Sequence, residues 1–218
     1  MAKTSEKIKF LINYFVKAMP DAVSELQYTN AYELLVATML AAQCTDKRVN
    51  MVTPMLFKSF PTVVELSETT EDELLTYIKS VSYPNSKAKH IVAMAKMVVK
   101  DFNSRIPDTV EELTKLPGVG RKTANVVLAF AFNKPAMPVD THVFRVSHRL
   151  GLVSESATTP ELVEKKLVKL FPEEYISMAH HWLLLHGRYV CTARKPHCEN
   201  CALTEICSFY VKNNKLQS

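Results

Sequence analysis

Apolar residues recur along this chain at steps of three and four from one end to the other. In NSKAKHIVAMAKMVVKDF, Ile91, Ala95, Val98 and Phe102 fall on one helical stripe, and AYELLVATMLAAQC is rich in strong helix formers. The same spacing predicts helices near 6–17, 46–59, 71–79, 109–115, 120–132, 141–150, 160–170 and 173–190. Alternating apolar and polar runs bounded by turn residues are absent, and four glycines leave few positions for β-turns. The pattern predicts an all-α fold. Short polar or proline-bearing joints such as NSRIPD and NKPAMP separate the helices. Repeats and low-complexity segments are missing, and composition marks no domain boundary.

Composition narrows the class only a little. A chain of 218 residues has room for one large domain or two small ones. Hydrophobic residues at 47% and charged residues at 22% describe an ordinary globular protein. Lys and Arg exceed Asp and Glu by 27 to 22, a net +5 that permits an anionic partner without identifying one. No apolar run approaches membrane-spanning length, and MAKTSEKIKF lacks the apolar core of a secretion signal, so the expectation is a cytoplasmic protein with no membrane partner. Cys44 stands alone, whereas Cys191, Cys198, Cys201 and Cys207 crowd into one short stretch. An odd cysteine count without a secretion signal argues against a disulfide framework, and the cluster reads as metal ligands.

The chemistry concentrates in LPGVGRKTANVV, which holds two of the four glycines. Pro117 presets φ for the second position of a tight turn, and Gly118 supplies the positive φ wanted next. Gly120 carries no side chain to keep a ligand from the amides that open the following helix, where free N–H groups and the helix dipole make an anion site. The segment reads as a helix–hairpin–helix that grips phosphate without reading bases. A glycine C-cap between two core helices would use the same residues. The cations separate the two readings. Arg121 and Lys122 sit where the dipole disfavours positive charge by roughly 0.3–1 kcal/mol each. A phosphate partner offsets that for Arg121. For Lys122 the same field favours the neutral amine, a nucleophile.

A helix over 121–132 spans about 18 Å, and the segment 133–140 can stretch about 26 Å, enough to run back beside it. Asp140 in PVDTHVFRVSHRL can therefore start the next helix near the start of the Lys122 helix. Capping that helix is a second role the same carboxylate can fill.

LPGVGRKTANVV followed by VDTHVFRV resembles the helix–hairpin–helix DNA glycosylases, in particular their endonuclease III family. AAQCTDKRVN, NSKA at 85–88 and HHWLLLHGRYVC extend the likeness over almost the whole chain. The resemblance implies a bacterial base-excision-repair enzyme, associated with the nucleoid and acting as a monomer. It would remove oxidised pyrimidines from double-stranded DNA and cleave damaged or abasic sites by β-elimination through a lysine Schiff base. It places the nucleophile at Lys122 and the essential carboxylate at Asp140. It also implies two helical lobes flanking a DNA-binding cleft: a six-helix lobe over 24–134 holding the hairpin, and a cluster lobe of 1–23 with 135–218.

Two other readings make different demands. An adenine glycosylase acting on mismatches lacks the lysine and uses a glutamate in an early helix, yet VATMLAAQC offers no carboxylate. A non-catalytic DNA-binding module would use the hairpin and a structural metal without cleaving DNA.

The four cysteines read C-x6-C-x2-C-x5-C. Zinc and iron–sulfur centres both accept four thiolates, so the ligands alone leave the metal open. The resemblance implies one [4Fe-4S] cluster. Arg194 and Lys195, on a loop pinned by metal ligands at both ends, suit phosphate contact because a pinned loop loses less entropy on binding.

By resemblance Gln43 enters the gap left by an everted base. Tyr83 takes the second intercalating position, where the family usually shows a glycine followed by a bulky apolar residue; here Ser82 and Tyr83 stand instead, with Pro84 behind them. Gly118, Gly120 and Arg121 complete the DNA-contacting set. Cys44 is expected as a core thiol, Asp46 as a helix cap, and the tryptophan and methionines as packing.

Overall fold

The computed structural model describes residues 4–214, and within them every regular element is helical. In order these are α1 (Thr4–Ala18), α2 (Ala31–Ala41), α3 (Asp46–Ser59), α4 (Val63–Glu68), α5 (Glu71–Ile78) and α6 (Pro84–Asp101). There follow α7 (Val110–Leu113), α8 (Arg121–Phe130), α9 (Thr141–Leu150), α10 (Pro160–Leu170), α11 (Ile176–Tyr189) and α12 (Ser208–Asn214). No described helix is long and apolar enough to cross a membrane.

Polar side chains set the helix starts. Asn30, Thr70, Thr109 and Thr159 each accept a hydrogen bond from a backbone N–H in the first turn that follows. Thr45, not Asp46, does this for α3. Helix α4 was not predicted by apolar spacing, because six residues hold fewer than two turns. Its signal lies in Thr62 and Glu65, which cap each other's backbone in a capping box.

Ser24–Lys134 forms one compact unit; the described residues up to Val23 and from Pro135 onward form the other. The first unit carries seven helices, the addition to the expected six being α4. Its centre is α2, apolar on every side, with Leu34, Leu35, Val36, Ala37 and Leu40 fully buried. Helix α6 packs on α2, α4 and α5 and buries Ile91, Ala95 and Val98 as the spacing predicts, while Phe102 is only half-buried. Met51 and Met55 depart from the packing expectation: both are 62% exposed, one turn apart on α3. Cys44 is half-buried, not a core thiol, because α2 ends three residues before it and the chain turns outward.

In the second unit α9 packs on α10, α11 and α12. Helix α1 is fastened by Phe15, whose ring stacks on the buried Trp182 at 5.7 Å, and by Trp182 Nε1, which donates to the Met19 carbonyl. Two buried lysines close helix ends in the two units. Lys7 Nζ donates to the Leu150 carbonyl at the end of α9, and Lys87 Nζ donates to Leu40 and Ala42 at the end of α2. A cation there neutralises the negative end of the helix dipole and satisfies carbonyls that have no partner inside the helix.

Candidate functional site

The hairpin forms as its residues dictate. Leu116 and Val119 are buried and hold the turn to the core, and the Val119 N–H closes it onto the Leu116 carbonyl at 3.1 Å. Between them Gly118 has φ +77°, which with Pro117 before it is the signature of a type II turn. A side chain on Gly118 would collide with the rest of the unit, since an added Cβ would lie 2.7 Å from the His90 Cβ and 3.1 Å from Met39 Cε. Gly120 serves differently. It is the N-cap of α8, and an added Cβ would meet nothing within 4 Å. Glycine here keeps the first turn of α8 open. Arg121 and Lys122 stand exposed on that turn, which itself holds no acidic residue.

Gln43, Tyr83 and Gly118 come together in the same unit, lining one pocket with Met39, Lys87 and His90. Both Gln43 and Tyr83 have left-handed backbone, φ +54° and +55°. Non-glycine residues seldom occupy that region, and when they do the surroundings hold them there. The phenol of Tyr83 is 64% exposed, a large ring standing on the surface beside a pocket.

Asp140 belongs to the other unit. It is half-buried and caps α9, Oδ1 accepting from the Val143 N–H at 2.8 Å. His142, in the first turn of α9, meets Arg145 Nη2 through Nδ1 at 3.2 Å. Asp140 is thus fixed in direction by its own helix, and one carboxylate oxygen, Oδ2, lies outside the cap.

The four clustered cysteines line a common pocket in that second unit. Burial pushes the thiols of Cys198, Cys201 and Cys207 up, and the other thiols of the set push in the same direction. Four thiolates this close need a cationic core between them. Among the described residues no group of three or more His, Cys, Asp or Glu is drawn in tightly enough for a single metal ion. Four cysteine sulfurs lining one space are a ligand set that an iron–sulfur cluster accepts.

The ends of this loop are tied to α9 by residues that spacing did not identify. Arg145 donates to the Cys191 and Gly187 carbonyls, and Arg149 donates to the Thr192 and Ala193 carbonyls and to Cys191 Sγ at 3.4 Å. His186 Nε2 lies 3.8 Å from Cys201 Sγ, and burial lowers its pKa to about 4, so its ring is neutral near pH 7. His180, His181 and His186 are all buried. With the loop's carbonyls held from below, the side chains of Arg194 and Lys195 are left exposed at its tip.

The family of HhH-GPD superfamily base excision DNA repair proteins matches residues 36–173, and the iron-sulfur binding domain of endonuclease III matches residues 191–207. Endonuclease III of Rickettsia felis is 49% identical over 200 residues, covering 92% of this chain and 93% of that protein. Endonuclease III of Escherichia coli is 42% identical over 193 residues, covering 88% and 90%. Among solved structures, a trapped covalent intermediate of endonuclease III with DNA superposes with a TM-score of 0.89 at 41% identity, over 98% of this chain and 100% of that one. A thermostable thymine-DNA glycosylase superposes with a TM-score of 0.86 at 25% identity, over 96% and 99%.

Proposed function

Because this chain belongs to the HhH-GPD superfamily of base excision DNA repair proteins, we propose that it is a bifunctional DNA glycosylase and AP lyase of the endonuclease III kind. It acts as a monomer on duplex DNA in the bacterial cytoplasm, at the nucleoid, where it removes oxidised pyrimidines. The observation that carries the reading is Lys122, exposed on the first turn of α8, two residues past a glycine N-cap that leaves the helix mouth open.

The work of the residues follows from their chemistry. Amides at the start of α8, together with Arg121, hold a backbone phosphate. The damaged nucleotide swings out at an expense of a few kcal/mol of unstacking, which damage lowers, while Gln43 and Tyr83 fill the gap. The Lys122 amine bonds to C1′ as the C1′–N bond breaks, and the base leaves with the electron pair; of the two protons the amine sheds on its way to the imine, one neutralises the base and the other the ring oxygen. Asp140 stabilises the cationic sugar and accepts a proton from the new ammonium. Opening of the sugar gives an imine, which acidifies the C2′ protons. Loss of one of them sends an electron pair toward C3′ and breaks the C3′–O bond, leaving the phosphate on the 3′ fragment. Water then hydrolyses the imine and returns the amine.

Cys191, Cys198, Cys201 and Cys207 would hold one [4Fe-4S] cluster, which supplies the cationic core that four thiolates require. Around it the chain's own residues order the loop, and Arg194 and Lys195 meet phosphate.

A duplex carrying one oxidised pyrimidine tests the reading. The expected products are free base and a strand break 3′ to the site; base release without a break would assign a glycosylase that lacks the lyase step.

A further inference from the structure

Lys87 has no part in the reaction just described, yet it is one of the most constrained polar residues of its unit. It lies on α6 with 8% of its surface exposed, and its Nζ donates at 2.7 Å to both the Leu40 and the Ala42 carbonyls. Burial lowers its pKa, with Cys44 acting in the opposite direction. A lysine is seldom placed so deep unless its charge is used. Here it closes a helix that has no glycine at its end: α2 leaves through Ala42, and the next residue, Gln43, turns left-handed.

The same residue reaches the other strained position. The Lys87 N–H donates to the Tyr83 carbonyl at 3.1 Å, as part of the first turn of the helix that Tyr83 caps. Lys87 is therefore bonded to backbone beside both Gln43 and Tyr83. All three line one pocket.

We infer that Lys87 is a positioning residue: by tying the end of α2 to the start of α6, it holds Gln43 and Tyr83 at the spacing and angle with which they enter the base stack, and so controls how the enzyme responds to the base opposite the lesion. The inference rests on the reading of Gln43 and Tyr83 as gap-filling residues. The side chain touches no reacting atom, so its removal spares the chemistry and affects only the step that needs a paired strand.

The test compares Lys87→Met with the parent as iron-loaded full-length enzymes. Single-turnover cleavage is measured at an abasic site in duplex DNA opposite A, in duplex DNA opposite G, and in single-stranded DNA. The variant is expected to lose about tenfold or more on duplexes, because a misplacement of an ångström has that order of effect. Its dependence on the opposite base should shift, and its single-strand rate should stay within about twofold of the parent, since no gap has to be filled there. Lys87→Arg, which keeps several donors, should recover part of the duplex rate. Tyr32→Phe, which removes a buried hydrogen bond to Phe60 in the same unit, should lower stability without moving the duplex-to-single-strand ratio. If Lys87→Met does not accumulate as folded protein, Lys87→Gln, with one amide donor, carries the same comparison.

Equal losses on duplex and single strand, or an unchanged ratio and opposite-base dependence, overturn the proposal. Gln43→Ala run alongside separates the two levels. If it matches the parent, the gap-filling reading itself is wrong; if it shifts the ratio while Lys87→Met does not, only the role of Lys87 is lost.

Discussion

Gly118 rests directly on His90: a Cβ added to the turn glycine would lie 2.7 Å from the Cβ of the histidine. The hairpin is thereby pressed onto α6, and the Gly118 φ of +77° disfavours a side chain on conformational grounds as well. Gly118→Ala is expected to destabilise the protein by roughly 2–4 kcal/mol, the sum of a left-handed alanine and an overpacked contact. Chemical denaturation measures it. Gly120→Ala provides the contrast. Its φ is −90° and its surroundings are open, so stability should change by less than about 1 kcal/mol. Duplex affinity should fall, because the methyl group stands where phosphate approaches the amides.

The tip of the cysteine loop gives a second prediction. Arg194 and Lys195 are exposed while the backbone around them is held by Arg149 and Arg145. If each meets one phosphate, alanine at either position lowers the slope of log affinity against log salt by about 0.9, and the double variant by about twice that. Affinity should fall for damaged and undamaged duplexes alike. Equilibrium binding titrations at several salt concentrations read both quantities.

The cluster has its own signature. Purified protein should be brown and carry about four irons per chain. Cys198→Ser should lose most of the iron and the visible absorption. The loss of DNA affinity should exceed that of the Arg194→Ala, Lys195→Ala pair, because the whole loop is released and not only its charges. A colourless protein holding one zinc would contradict this assignment.

Acid should weaken the second unit through His181. Burial, reinforced by the neighbouring His180, lowers its pKa to about 3 from 6.5. The folded pKa is the depressed one, so the unfolded chain takes up the proton first. The stability contributed by neutral His181 is complete above pH 6.5, declines as pH falls from 6.5 toward 3, and is constant below that. His181→Gln should flatten this part of the stability profile by on the order of 3–5 kcal/mol relative to the parent. Denaturant midpoints for both proteins across that pH range provide the check.

How much of this the sequence carried depends on how local each cause is. The turn at Pro117 and Gly118 was legible because both residues state their backbone angles outright. Asp140 was legible as a cap for the same reason: it bonds three residues ahead. Helix α4 was hidden from periodicity yet present in the Thr62–Glu65 pair. Other features have distant causes. Nothing in NSKA marks its lysine as buried, because the carbonyls that hold it come from residues 40 and 42 on another helix. The left-handed backbone of Gln43 and Tyr83 has no local signal either, since neither is a glycine. Likewise the cysteine spacing announces ligands, but Arg145, Arg149 and His186 reach the loop from far along the chain.

The proposed reaction begins with the amine of Lys122 forming a bond to deoxyribose. Borohydride added during reaction with an abasic duplex reduces an imine to a stable amine. The parent enzyme should therefore yield a denaturation-resistant protein–DNA adduct whose attachment site maps to Lys122, and Lys122→Ala should yield none while retaining its fold. Failure to trap any adduct, or an adduct that persists at full yield in Lys122→Ala, would contradict it.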